Sequence, residues 1–196
     1  MSAIAIELLT KAIEARLSAA LLRAYPPGAP TTGKTFVGPL DDPAAADASL
    51  VLFLYRVTPS QSLRNTEHRV STSNGQAELV HQNALPLDLH YMLTVGPRVQ
   101  PGNYEPPRVL GFALQALNDA PIMAGSALSG ETVRLSLDPI GLDELSRVWA
   151  LFPALNYRTS VLYLASPVWI DPAEIQVAAG NVIGQELWAS VPEEAQ

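Results

Sequence analysis

The three histidines of this 196-residue chain are its best candidates for acid–base or metal chemistry. His90 follows Asp88 by two positions in the run Leu85–Thr94, and residues two apart on a strand share a face. A carboxylate–imidazole pair for proton transfer is therefore conceivable there. The same spacing fits an ordinary polar stripe, facing solvent or a partner, opposite Leu85, Leu87, Leu89, Tyr91 and Leu93, and that stripe is the expectation. His68 and His81 lie in a long polar segment, where histidine is ordinarily solvated. No carboxylate or further histidine stands at ligand spacing from them, so no metal pair is expected.

Other chemistries are thinner still. With no cysteine, the chain has no disulfide, thiolate metal site or cysteine nucleophile. It carries no Gly-x-Ser-x-Gly, His-Glu-x-x-His or phosphate-loop pattern, and Gly125–Gly130 reads as a connector. Asp119 and Asp138 read as a helix end and a turn residue. The sequence thus predicts no catalytic, cofactor-binding or metal-ligating residue. Arg56 stands on an otherwise apolar strand, and Arg64-Asn65 stands at the polar corner after it. A buried or interfacial guanidinium needs a carboxylate or carbonyl partner, here either internal, such as Asp88, or on a neighbouring subunit. Arg56, Arg64, Asn65, Asp88 and His90 are accordingly the candidate interface residues. Trp149, Trp169 and Trp188 read as core or interface residues.

The elements that must position these groups follow from periodicity. Ala5, Leu9, Ile13, Leu17 and Leu21 recur at spacing four, which predicts an N-terminal helix that Tyr25-Pro26-Pro27-Gly28 stops. Its polar face mixes acidic and basic residues, so it is expected to pack on a sheet rather than lie on a membrane. Lys34–Val37 predicts an edge strand, and Ser49–Val57 a central strand covered on both faces. Gln61–Asn83 predicts a loop or flexible hairpin turning at Asn74-Gly75. Ala84–Val95 alternates as a strand. Arg108–Asn118 predicts a helix, Glu131–Leu137 a strand with Val133, Leu135 and Leu137 inward, and Leu142–Leu151 a helix with Glu144 as a weak capping signal at its start. Tyr157–Leu164 predicts a strand extended by Val168–Ile170. Interleaved strands and helices without regular βαβ units predict an α+β domain: a mixed, mostly antiparallel sheet with three packed helices. It is expected to span 1–171, with 172–196 as an extension holding an edge strand around Ile175–Val177 and then a solvated, flexible end.

Composition sets the outer bounds. Net charge is −7 with only 12 basic residues, which argues against a nucleic-acid footprint. Charged residues are 16% and apolar residues 48% of the chain, consistent either with surface covered by partners or with a large core. Glu7, Lys11, Glu14 and Arg16 interrupt the apolar N-terminus, so it does not read as a signal peptide, and no run is long and apolar enough for a membrane helix.

Seven segments taken in order carry a resemblance: Tyr55–Pro59, Leu63–Thr66, Leu85–Thr94, Leu110-Gly111, Leu114–Leu117 with Pro121, Leu142–Trp149 and Tyr157–Leu164. Together they resemble the tube-terminator, or cap, proteins of extracellular contractile injection systems, the phage-tail-like particles of antifeeding-prophage and virulence-cassette type. The resemblance runs from about Ala3 to Ile170 and departs at Thr66–Ala84. It implies a phage tail-terminator-like fold and a structural, non-enzymatic role without cofactors. It also implies a homo-hexameric ring that ends the inner tube and holds the last sheath layer, with tube and sheath proteins as partners. The particle would assemble in the bacterial cytoplasm and then be released or retained; contact with a membrane stays open. A baseplate or tail-completion adaptor of the same particle is the alternative, and a small-ligand or enzymatic module using Asp88 and His90 a remote one.

Overall fold

The row Ala5, Leu9, Ile13, Leu17 and Leu21 forms the buried seam of a 20-residue helix, as its spacing predicts. In the computed structural model, which describes residues 3–25, 33–71, 78–81, 83–99, 104–125 and 128–173, this helix is α1 (Ala5–Ala24). It is followed by β1 (Thr35–Val37), a 3-10 turn (Pro43–Ala45), β2 (Leu50–Pro59), β3 (His68–Ser71), β4 (Glu78–His81) and β5 (Leu85–Val95). Then come α2 (Glu105–Asp119), β6 (Ile122–Ala124), β7 (Thr132–Leu137), α3 (Leu142–Trp149) and β8 (Ser160–Ile170). Six strands form one sheet in the order β1-β2-β5-β8-β7-β6, while β3 and β4 pair separately as a hairpin. Among the described residues β1 pairs with β2 in parallel and the other pairings are antiparallel. The result is the α+β class that the sequence predicts.

β5 lies between β2 and β8 and is covered on both faces. Leu87, Leu89, Tyr91 and Leu93 point into the larger core, which α1 and α2 close. Met92 points the other way, into a second core with Val51, Leu162, Val148, Trp149 and Phe152. A strand buried on both faces cannot carry a solvated stripe, and His90 is only 7% exposed. The solvated stripe expected opposite the leucines fails at His90, which is buried, while Asp88 is half-buried. β2 is buried on both faces only in its first half, and Val57 is 43% exposed.

Several boundaries differ from those predicted. α2 starts earlier, at Glu105, because Pro106 and Pro107 suit the first turn of a helix, where the missing N–H has no intrahelical partner. Leu137 is 57% exposed, since β7 ends there and leaves the core. β6 is too short to show periodicity. Gln61–Asn83 holds a hairpin, but Asn74-Gly75 falls outside the described residues, as do Trp188 and the strand expected around Ile175–Val177.

Two local constraints hold the layers in place. The Tyr91 hydroxyl, inside the core, lies 2.8 Å from Thr10 Oγ1, whose own proton goes to the Ile6 carbonyl. Tyr91 therefore donates and Thr10 accepts, which fixes α1 over the sheet. Gly96 follows β5 with its Cα against the Ala48 carbonyl: a Cβ there would sit 2.2 Å from that oxygen.

Two outcomes follow. Gly96→Ala should cost about 1–3 kcal/mol in urea unfolding, since backbone must move to admit the methyl group. Burial pushes the phenols of Tyr91 and Tyr163 up to about 12 from an ordinary value of 10.0. The unfolded chain releases these protons first, so their contribution is complete below pH about 10 and is lost as pH rises towards 12. A Tyr91→Phe, Tyr163→Phe double variant should show a shallower alkaline loss of thermal stability than the parent; an unchanged slope would contradict this.

Candidate functional site

On the α3 side of the sheet, the register between β2 and β5 shifts between Leu54 and Arg56, leaving Tyr55 as the extra residue of a bulge. Beyond the bulge Arg56 lies directly opposite His90, and Thr58 opposite Asp88. Two predicted site residues, Arg56 and His90, are thereby brought together. His90 Nδ1 lies 2.8 Å from Asp138 Oδ2. Arg56 Nη2 lies 3.3 Å from His90 Nε2, and Thr58 Oγ1 lies 3.4 Å from the same nitrogen. With Nδ1–H donating to Asp138, the Nε2 lone pair is left to accept from Arg56. Nη1 of the same guanidinium reaches Glu144 Oε1 on α3 at 3.3 Å.

The arrangement holds an arginine at a fixed point rather than delivering a proton. The conceivable Asp88–His90 pair does not form: Asp88 accepts a 2.6 Å hydrogen bond from Ser166, and His90 turns to Asp138. Nor is Asp88 the partner of Arg56; that partner is Glu144, which makes no cap bond at the start of α3. Both members of the Arg56–Glu144 pair are over two-fifths exposed, so water screens it to about 0–1 kcal/mol. Tyr55 sits alongside with its hydroxyl buried and without a hydrogen-bond partner among the described residues. Burial first, and the Asp138 charge second, push its phenol above the ordinary value. Tyr55, Arg56, Glu144, Arg147 and Leu151 line an open groove between β2 and α3. Of these, Leu151 is an exposed apolar side chain.

Arg64 and Asn65 lie elsewhere. Both are exposed on the turn after β2, where Arg64 borders a groove with Pro59, Leu85 and Pro86, and Asn65 borders His68 and Trp169. His68 and His81, expected in solvent, are the larger surprise. His68 is 5% exposed and stacks on Trp169 with centroids 4.6 Å apart and planes 11° from parallel. Its Nδ1 lies 2.7 Å from Asp171 Oδ1 and its Nε2 lies 3.1 Å from Glu131 Oε1. His81 also stacks against it, with centroids 5.9 Å apart, and places Nε2 3.8 Å from Asp171 Oδ2. Burial raises the Asp171 carboxyl, but hydrogen bonds and charges, those of His68 among them, outweigh it and hold the group below its ordinary value. The carboxylates that sequence spacing lacked come from 63 and 103 residues away. Asp138, Glu144, Glu131 and Asp171 were all visible as residues, but only strand order reveals their partners.

The fold belongs with that of known terminator structures. It is similar to the PVC sheath/tube terminator of an extracellular contractile injection system in its extended state, with a TM-score of 0.60 and 18% identity over 100% of this chain and 65% of that one. It is similar also to the tube terminating cap of the anti-feeding prophage, with a TM-score of 0.60 and 19% identity over 92% of this chain and 60% of that one. The chain therefore spans less than two thirds of either protein's length. The family profile of the Pvc16 N-terminal domain matches residues 8–183, and the chain belongs to that family. No curated protein matches the chain. Among the described residues, no helix is long and apolar enough to cross a membrane.

Asp138→Ala should destabilise the chain by about 1–3 kcal/mol in urea unfolding, because His90 stays buried without its acceptor. Combined with Arg56→Ala, the loss should be non-additive by more than about 0.5 kcal/mol. Simple additivity would show that Arg56 is not held through His90.

Proposed function

We propose that this chain is a structural cap that ends the inner tube of a contractile injection system and anchors its last sheath layer. The observation that carries this reading is the conjunction of family membership with a fold similar, over the whole chain, to a sheath/tube terminator. Six copies closing by cyclic symmetry would satisfy every head-to-tail contact in a ring and leave no free end within it. Tube protein would lie against one rim of that ring and sheath protein around it.

The surface chemistry supports this assignment. The β2–α3 groove offers exposed Leu151 and the ring of Tyr55 beside fixed charges at Arg56 and Glu144. Apolar contact framed by oriented charge suits a register-specific protein contact. Arg64 and Asn65 stand on an exposed turn carried by the long strands β2 and β5. Such a rigidly mounted turn can reach a neighbour without the core having to move. The Asp88–His90 pair on which an enzymatic reading would rest does not form, because Asp88 accepts from Ser166 and His90 turns to Asp138.

Arg64→Glu should weaken docking of the chain onto purified tube–sheath particles at least about tenfold, as a reversed interface charge costs 1.4 kcal/mol or more. Its circular dichroism and melting point should stay unchanged. Co-sedimentation with particles measures the first and a thermal scan the second. Undiminished docking, or loss of structure in the variant, would count against the reading.

A further inference from the structure

The cap reading uses neither the β3–β4 hairpin nor the clasp that ties it to the sheet. That clasp gathers side chains from four separate segments: His68 on β3, His81 on β4, Glu131 before β7 and Asp171 after β8. We propose that these four residues form a binding site for a divalent cation of the zinc class, which pins the hairpin to the main sheet.

Donor atoms from His68, Glu131 and Asp171 all lie within 4.8 Å of one another. Around a tetrahedral zinc with bonds of about 2.0–2.2 Å, donor atoms sit roughly 3.3–3.6 Å apart, so the set must close by only about 1 Å. His81 Nε2, 3.8 Å from Asp171 Oδ2, lies beside this trio rather than within it, and must swing inward to serve as the fourth ligand. The four side chains are between 6% and 15% exposed, so bulk water competes poorly for the position. Two imidazoles with two carboxylates suit zinc or cobalt; magnesium and calcium take oxygen ligands. His68 is also pre-oriented. The Trp169 stack fixes its plane, and both ring nitrogens already face carboxylate oxygens. A cation takes one of these nitrogens and draws the facing carboxylates onto itself. Any proton displaced from the ring passes to buffer. Without a cation, the same geometry is a clasp closed by hydrogen bonds alone, and the two states are separable by experiment.

Zinc chloride would be titrated calorimetrically into the tag-free, chelator-treated chain, and cobalt chloride followed by visible absorption. One ion per chain should bind with a dissociation constant below about 10 μM, and saturation should raise the melting temperature by mass action. Cobalt should give d–d bands of a four- or five-coordinate nitrogen–oxygen site. His81→Gln and Glu131→Gln should each weaken binding at least about tenfold. Absence of both zinc heat and cobalt bands in the unaltered protein would overturn the proposal and leave a hydrogen-bonded clasp only. Affinity unchanged in both variants would also overturn it, by placing the ion elsewhere. Should either variant fail to fold, the cobalt spectrum of the unaltered chain still decides.

Discussion

Because β5 is buried on both faces, the helices must be arranged around it. Tyr91 and Leu93 need an apolar cover on one side and Met92 on the other, and no single helix can supply both. α1 and α2 meet the first demand. α3, with Trp149 and Phe152, meets the second over half the strand's length. The remaining half of that face is left to polar groups, and burial there is tolerated only where each polar group has a partner. His90 is buried because Asp138 and Arg56 take its two nitrogens, and the groove between β2 and α3 is the outer edge of that arrangement.

The same reasoning accounts for the hairpin. β3 and β4 are too short to stand alone, as a two-stranded ribbon in water is marginal. Their attachment runs through His68, which stacks with Trp169 and His81 and is bonded to residues flanking β7 and β8. A polar attachment of this kind is directional where an apolar one is not, so it sets the hairpin's position as well as its stability. Arg64 and Asn65, just before the hairpin, share that framework.

How much of this was legible in the sequence depended on whether the signal was local. The α1 seam reads directly, because spacing of four is a property of one helix. β5 and the last strand read well for the same reason, including the extension through Val168–Ile170. Partners did not read. Glu144 follows Gly141 by three residues and imitates a capping signal, yet it serves Arg56 on another element. Asp138 looks like any turn aspartate until β7 is known to lie next to β8 and β8 next to β5. Polarity around His68 suggested solvent, because burial by residues more than sixty positions distant leaves no trace in a window of twenty. The resemblance to the cap family supplied what periodicity could not, since order along the chain is itself a long-range signal.

The central claim concerns tube ends, so the most direct measurement is made on tubes. Particles assembled without this chain would be imaged by electron microscopy and scored for length and sheath retention. The account predicts overlong tubes, or tubes stripped of their last sheath layers, with normal ends restored when the chain is supplied again. Particles of normal length bearing complete sheaths would contradict it.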